Sequence, residues 1–221
     1  LLKIDYLCNM NIAFLFDLDG VLIDSETEYT RIWSEIESYF PTGYPDFAHR
    51  IKGTTLENIL TTYFKPTDRE RVAEMLFDRE ARMQYNYCKG AERLLDRLGE
   101  LHIPKAIVTS SKKEKMDHLR RQRPELWQRV DTIVDADSVT RSKPDPQGYL
   151  IGATRIGINP CHCVVVEDSL QGIRAGKAAG CYVVGLSGTF GRDALEGEPD
   201  ILLNCLEEMN LDSIINEIQQ R

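Results

Sequence analysis

Six short apolar runs punctuate this chain: Ile12–Phe16, Lys105–Val108, Thr132–Val134, Cys163–Val166, Tyr182–Leu186 and Ile201–Leu203. Each is too short for a buried helix and reads as a strand covered on both faces. Helical patterns separate most of them. Leu94, Leu95, Leu98 and Leu101 recur at helical spacing over Glu92–Leu101. Pro146 opens a helix through Ile156, Gly180 closes one over Leu170–Ala179, and Ile214, Ile215 and Ile218 form one face of Leu211–Gln220. Strand alternating with helix predicts an α/β fold: a Rossmann-like parallel sheet with helices on both faces.

One segment breaks the rhythm. From Ser25 to about Cys88 no convincing strand occurs, and Ser25–Phe40, Leu56–Phe64 and Arg69–Tyr87 read as helices, with Thr67 as a candidate N-cap. A helical block of this size after the first strand predicts a separate all-helical cap over the strand ends. The expected division is 11–24 and 89–221 for the core and 25–88 for the cap, with residues 1–10 an N-terminal extension. Tyr29, Trp33, Ile36 and Phe40 recur at helical spacing and predict cap core.

Polar groups follow the strand ends. The first run meets Asp17 and Asp19, the second Thr109, Ser110 and Ser111, and the fourth Glu167 and Asp168. Ser142-Lys143-Pro144-Asp145-Pro146 follows the third. Each has a plainer reading. D-x-D-G suits a turn, Ser110, Ser111, Asp168 or Ser169 can cap a helix, and a lone lysine can be a solvated charge. Their coincidence where parallel sheets bind ligands is harder to dismiss. Carboxylates suit Mg²⁺, hydroxyls and free N–H groups cradle an anion, and a carboxylate can act as a phosphoryl acceptor. Together they are the parts of a phosphoryl-transfer site.

The segments FDLDGVLIDS, VTSS, SKPDP and VVVEDSLQGIRAGKAAG resemble, in order, the four motifs of the haloacid dehalogenase superfamily. The resemblance spans residues 11 to 205 and is nearest to its sugar-phosphate phosphatases and β-phosphoglucomutases. It implies Asp17 as nucleophile, Asp19 as general acid/base, Thr109 and Ser110 as phosphate-binding hydroxyls, and Lys143 steadying both nucleophile and phosphoryl group. It implies Mg²⁺ held by Asp17, the Asp19 carbonyl, Glu167 and Asp168. In the cap it suggests Tyr29, His49, Arg50, Lys52 and Gly53 as substrate contacts, the plainer reading of His49, Arg50 and Lys52 being a solvated loop. The Lys143–Pro144 bond is cis in some relatives, trans by general preference.

The same resemblance separates branches. Dehalogenases lack the second aspartate, P-type ATPases carry lysine where Leu18 stands, and phosphonate-cleaving relatives need a cap lysine that D-x-D argues against. Mutases carry histidine where Tyr29 stands and arginine near Leu56, so the expectation is a phosphatase of a small phosphorylated metabolite, with a sugar phosphomutase as the alternative. A binding module would not need the whole acid, lysine and metal set. A cap closing over the site would exclude a phosphoprotein.

The charge narrows the class further. Twenty-seven Lys+Arg stand against 35 Asp+Glu, a formal charge of -8, which disfavours nucleic acid and anionic membranes. No run approaches the ~20 apolar residues of a membrane span, and no secretion signal is evident. The six cysteines are scattered, and Cys161-His162-Cys163 lacks a second ligand pair. The expectation is a reduced, cytoplasmic protein with no obligatory protein partner.

Overall fold

The computed structural model describes residues 11–52, 54 and 56–220. The expected extension at 1–10 lies outside them. Six strands form one parallel sheet: β1 Ala13–Phe16, β2 Lys105–Val108, β3 Thr132–Val134, β4 Cys163–Glu167, β5 Tyr182–Leu186 and β6 Ile201–Leu203. Their order is β3-β2-β1-β4-β5-β6. The chain moves outward on one side of β1, then crosses back to β4 on the other. Beyond the carboxyl ends of β1 and β4 lies the switch point where such sheets hold ligands.

Among the described residues ten α-helices accompany the sheet: α1 Ser25–Tyr39, α2 Phe47–Arg50, α3 Leu56–Tyr63, α4 Arg69–Glu80, α5 Ala91–Glu100, α6 Lys113–Gln122, α7 Pro124–Arg129, α8 Gln147–Ile156, α9 Leu170–Ala178 and α10 Leu211–Gln219. The central strands are buried along their whole length. On one face Leu15, Val108 and Val165 pack with Tyr149 and Ala153 of α8 and Ile173 and Ala175 of α9. On the other, Phe14 stacks on Phe16 at 5.8 Å between centroids.

The chain forms two compact units. One contains the residues up to Asp24 and those from Asn86 onward, and the other is Ser25–Tyr85. Ile23 bridges Tyr87, and the Cys88 N–H donates to Leu22 O at 2.9 Å, so the returning chain rejoins the loop it left. The second unit has its own core around Trp33, Ile36, Phe47, Phe64, Val72 and Leu76. Trp33 and Phe47 meet edge to face at 5.9 Å. Tyr29 and Phe40 pack against this core, half-buried.

Two sequence expectations fail here. The helix expected over Arg69–Tyr87 stops at Glu80. From Met83 to Asn86 burial alternates with period two, the signature of extended chain. The N-cap of α4 is Asp68, to whose carboxylate Thr67 merely donates at 3.3 Å. The short helix α2 escaped notice because four residues carry no periodicity. Among the described residues no helix is long and apolar enough to cross a membrane.

Leu15 is wholly buried at the centre of the larger core. Leu15→Ala is expected to lower unfolding stability by about 2–5 kcal/mol, read as an earlier urea midpoint with the slope unchanged.

Candidate active site

The register of β1 against β4 builds the centre. Phe16 pairs with Val166, so the next residues, Asp17 and Glu167, emerge side by side, with the Asp17 N–H donating to Val166 O at 2.9 Å. On the opposite flank the Thr109 N–H donates to Val134 O at 2.9 Å. Asp168 and Thr109 are both buried. One carboxylate oxygen from each of Asp17, Glu167 and Asp168 lies within 4.8 Å of the others.

Lys143 arrives from the loop after β3, through a cis Lys143–Pro144 bond. Its ammonium donates to Asp17 Oδ1, to Glu167 Oε1 at 2.6 Å and to Val108 O at 3.1 Å. It is therefore no solvated charge. Burial works against that ammonium, but Asp17 and Glu167 outweigh it and hold it protonated well above the usual lysine range. Burial pushes the Asp17 carboxyl up to about 7, Lys143 pulling it down while Glu167 and Asp19 add repulsion.

Glu167 is the most enclosed acid, with no exposed surface. Lys143 and the Tyr149 hydroxyl donate to Oε1, the latter at 2.7 Å. The N–H groups of Asp168 and Ser169 and the Ser169 hydroxyl donate to Oε2 at 2.9–3.1 Å. Ser169 also caps α9, accepting from the Gly172 N–H at 3.1 Å, as the capping reading of this segment expects. Thr189 donates to Asp168 Oδ2. Gly20 has φ +75°, and a Cβ there would lie 2.0 Å from Asp168 Oδ2, so both backbone and space require glycine.

The donor chemistry fits a hard divalent cation. These are oxygen ligands, and three clustered carboxylates face one ammonium. Two like charges about 4 Å apart repel by about 4 kcal/mol at an effective dielectric near 20. A single lysine cannot offset that among three acids, whereas a divalent ion can.

Asp19 stands further out, partly exposed. Lys115 Nζ lies 2.6 Å from its Oδ1, and the Ser111 hydroxyl donates to Oδ2 at 2.8 Å. The N-cap of α6 is Lys112, which displaces Ser110 and Ser111 from the capping role considered for them. Ser110 is exposed and, with Thr109, Lys143, Asp145 and Tyr149, lines a cavity of about 260 Å³.

The sequence candidates in the second unit do not form one cluster. Tyr29 and Lys52 line a cavity of about 220 Å³ with Glu26, Trp33, Ile51 and Glu80. Lys52 pairs with Glu26 at 3.5 Å. His49 and Arg50 are exposed on α2, the Arg50 guanidinium lying over the Tyr44 ring. Gly53 lies outside the described residues.

The haloacid dehalogenase-like hydrolase profile matches residues 14–186, which includes Asp17, Asp19, Thr109, Lys143, Glu167 and Asp168. The chain belongs to this family. It is 32% identical over 205 residues to the validoxylamine A 7′-phosphate phosphatase of Streptomyces hygroscopicus subsp. limoneus, covering 88% of this chain and 94% of that one. It is 32% identical over 207 residues to hexitol phosphatase A of Escherichia coli, covering 90% and 93%. A haloacid dehalogenase family hydrolase from Deinococcus radiodurans, crystallised with bound phosphate and sodium, superimposes with a TM-score of 0.80 at 27% identity, covering 96% of this chain and 98% of that one. Within the haloacid dehalogenase-like hydrolases the chain is a phosphoric monoester hydrolase.

Sequence reasoning missed Tyr149 and Lys115, and named Ser111 as a strand-end hydroxyl without its tie to Asp19. Tyr149 reads as one more apolar helix position, and nothing local marks the other two as partners of an acid. The close approach of α9 to Glu167 is equally silent in sequence. A Cβ on Gly172 would lie 1.7 Å from Glu167 Oε1. Gly172→Ala is expected to displace that carboxylate and cut phosphatase turnover by about 10–100-fold, with far-UV circular dichroism unchanged.

Proposed function

We propose that this protein is a Mg²⁺-dependent phosphatase that hydrolyses a small sugar or polyol monophosphate through an aspartyl-phosphate on Asp17. The observation that carries the reading is the clustering of Asp17, Glu167 and Asp168 at the switch point of the sheet, with the Lys143 ammonium paired to the first two. Asp17, Asp168 and the Asp19 carbonyl, with Glu167 beside them, would hold the ion, which supplies charge neutralisation for the phosphoryl oxygens.

The chain's own groups account for the steps. Lys143 holds the Asp17 carboxylate in place and offers positive charge to the phosphoryl group. The Thr109 hydroxyl accepts from the Ser111 N–H at 3.0 Å, which leaves its hydrogen to donate to a phosphoryl oxygen. A carboxylate oxygen of Asp17 attacks phosphorus, the ester P–O bond breaks, and Asp19 gives its proton to the departing oxygen. Asp19 then takes a proton from water as the water oxygen attacks phosphorus. The bond to Asp17 breaks, releasing inorganic phosphate and restoring the carboxylate.

The names of the relatives at 32% identity support a carbohydrate-like leaving group. Tyr29 and Leu56, where mutases place histidine and arginine, favour hydrolysis over recycling of a bisphosphate. Tyr29, His49, Arg50, Lys52 and Gly53 are the proposed specificity residues of a cap spanning 25–88. The acidic surface fits a small-molecule substrate better than nucleic acid or membrane. A cytoplasmic setting belongs to the same proposal and rests on the scattered cysteines.

Phosphate release from a sugar and polyol phosphate panel tests the reading. A chelator is expected to abolish release and Mg²⁺ to restore it. Asp19→Asn is expected to lower kcat/KM on the best ester by about 10²–10⁴-fold. Full activity in the chelator, or in Asp19→Asn, contradicts the mechanism, and conversion of β-glucose 1-phosphate to glucose 6-phosphate without phosphate release favours the mutase.

A further inference from the structure

Asp19 is held at both of its oxygens, by residues that belong to none of the acid or lysine motifs. Lys115 Nζ sits 2.6 Å from Oδ1, and the Ser111 hydroxyl donates to Oδ2 at 2.8 Å. Ser111 is itself pinned to the end of β2, its N–H donating to the Thr109 hydroxyl at 3.0 Å and its carbonyl accepting from the Ala136 N–H at 3.1 Å.

Lys115 occupies the first turn of α6, where a cation opposes the helix dipole. Lys113, in the same turn, is answered by Asp117 four residues on and is 69% exposed. Lys115 instead reaches off its own helix to the loop after β1 and is 21% exposed. Its placement answers the carboxylate, not the helix.

From this geometry we infer that Lys115 is a positioning residue for Asp19, holding its carboxyl group through Oδ1 so that Oδ2 is the oxygen that takes up the proton and passes it to the leaving oxygen. The inference rests on the reading of Asp19 as the proton donor. An aspartate side chain turns about two torsions. One anchor leaves the carboxyl free to swing, and two fix it. Proton transfer needs donor and acceptor within about 2.6–3.2 Å, so a swinging carboxyl spends most of its time out of reach. With Lys115 removed, Ser111 alone remains of this clamp.

Substituted phenyl phosphates of similar size test this, because only the acidity of the departing phenol changes along the series. A dinitrophenolate leaves without a proton, whereas phenolate itself gains from one. The quantity read is kcat/KM, which reports steps through the first irreversible P–O cleavage. Lys115→Met is expected to lose about 10–100-fold on phenyl phosphate and to stay within about two-fold on the dinitrophenyl ester, giving a steeper dependence on the leaving group. Lys115→Arg is expected to restore most of the shallow wild-type slope. Asp19→Asn, run in parallel, should show the steep slope more strongly. A uniform loss, or no loss, in Lys115→Met beside a steep Asp19→Asn overturns the role of Lys115 alone. A wild-type slope in Asp19→Asn overturns the acid reading itself, and the Lys115 inference with it. Melting curves for each variant separate these outcomes from misfolding.

Discussion

The organising constraint of this molecule is an excess of buried negative charge at one point of the sheet. Asp17, Glu167 and Asp168 crowd together where β1 meets β4, with Lys143 as the cation among them. Taking ions out of water costs several kcal/mol each unless partners compensate. Much of the surrounding structure reads as compensation. Lys143 enters from the loop after β3, Tyr149 comes up from α8, and the opening of α9 turns two N–H groups and a hydroxyl onto Glu167. Gly20 and Gly172 lie so close to these acids that a methyl group at either would collide with a carboxylate. The sheet order serves the same end, because placing β4 against β1 makes neighbours of Asp17 and Glu167.

The two compact units divide the demands of such a protein. The larger carries the chemistry on a rigid scaffold of buried strands, where small displacements of a carboxylate would be costly. The smaller builds an aromatic core from Trp33, Phe47 and Phe64 and keeps a cavity bordered by Glu26, Lys52 and Glu80. Its charges are mixed, and its lysine is already paired with Glu26.

Much of this was legible in the sequence because the chemistry is local to strand ends. An apolar run that breaks into Asp17-Leu18-Asp19-Gly20, or into Glu167-Asp168-Ser169, marks a strand end and puts acids there, and the structure draws Asp17, Glu167, Asp168 and Lys143 together. What stayed hidden depends on distance along the chain. Lys115 meets Asp19 across 96 positions, and Ser111 across 92. No periodicity encodes such pairs. The alternation at Met83–Asn86 was lost for a different reason, since two apolar positions directly after a helix are too few to announce a strand. The candidates His49 and Arg50 came only through resemblance, and in the structure they are exposed on α2.

The central claim is that the crowded acids exist to let Asp17 carry a phosphoryl group. The most direct measurement is chemical trapping. Enzyme quenched during turnover with substrate and Mg²⁺ is treated with borohydride, which reduces an acyl phosphate to an alcohol, and its peptides are mapped by mass spectrometry. The account predicts homoserine at position 17, absent without substrate. Turnover that leaves Asp17 unreduced while another residue carries the label would contradict it.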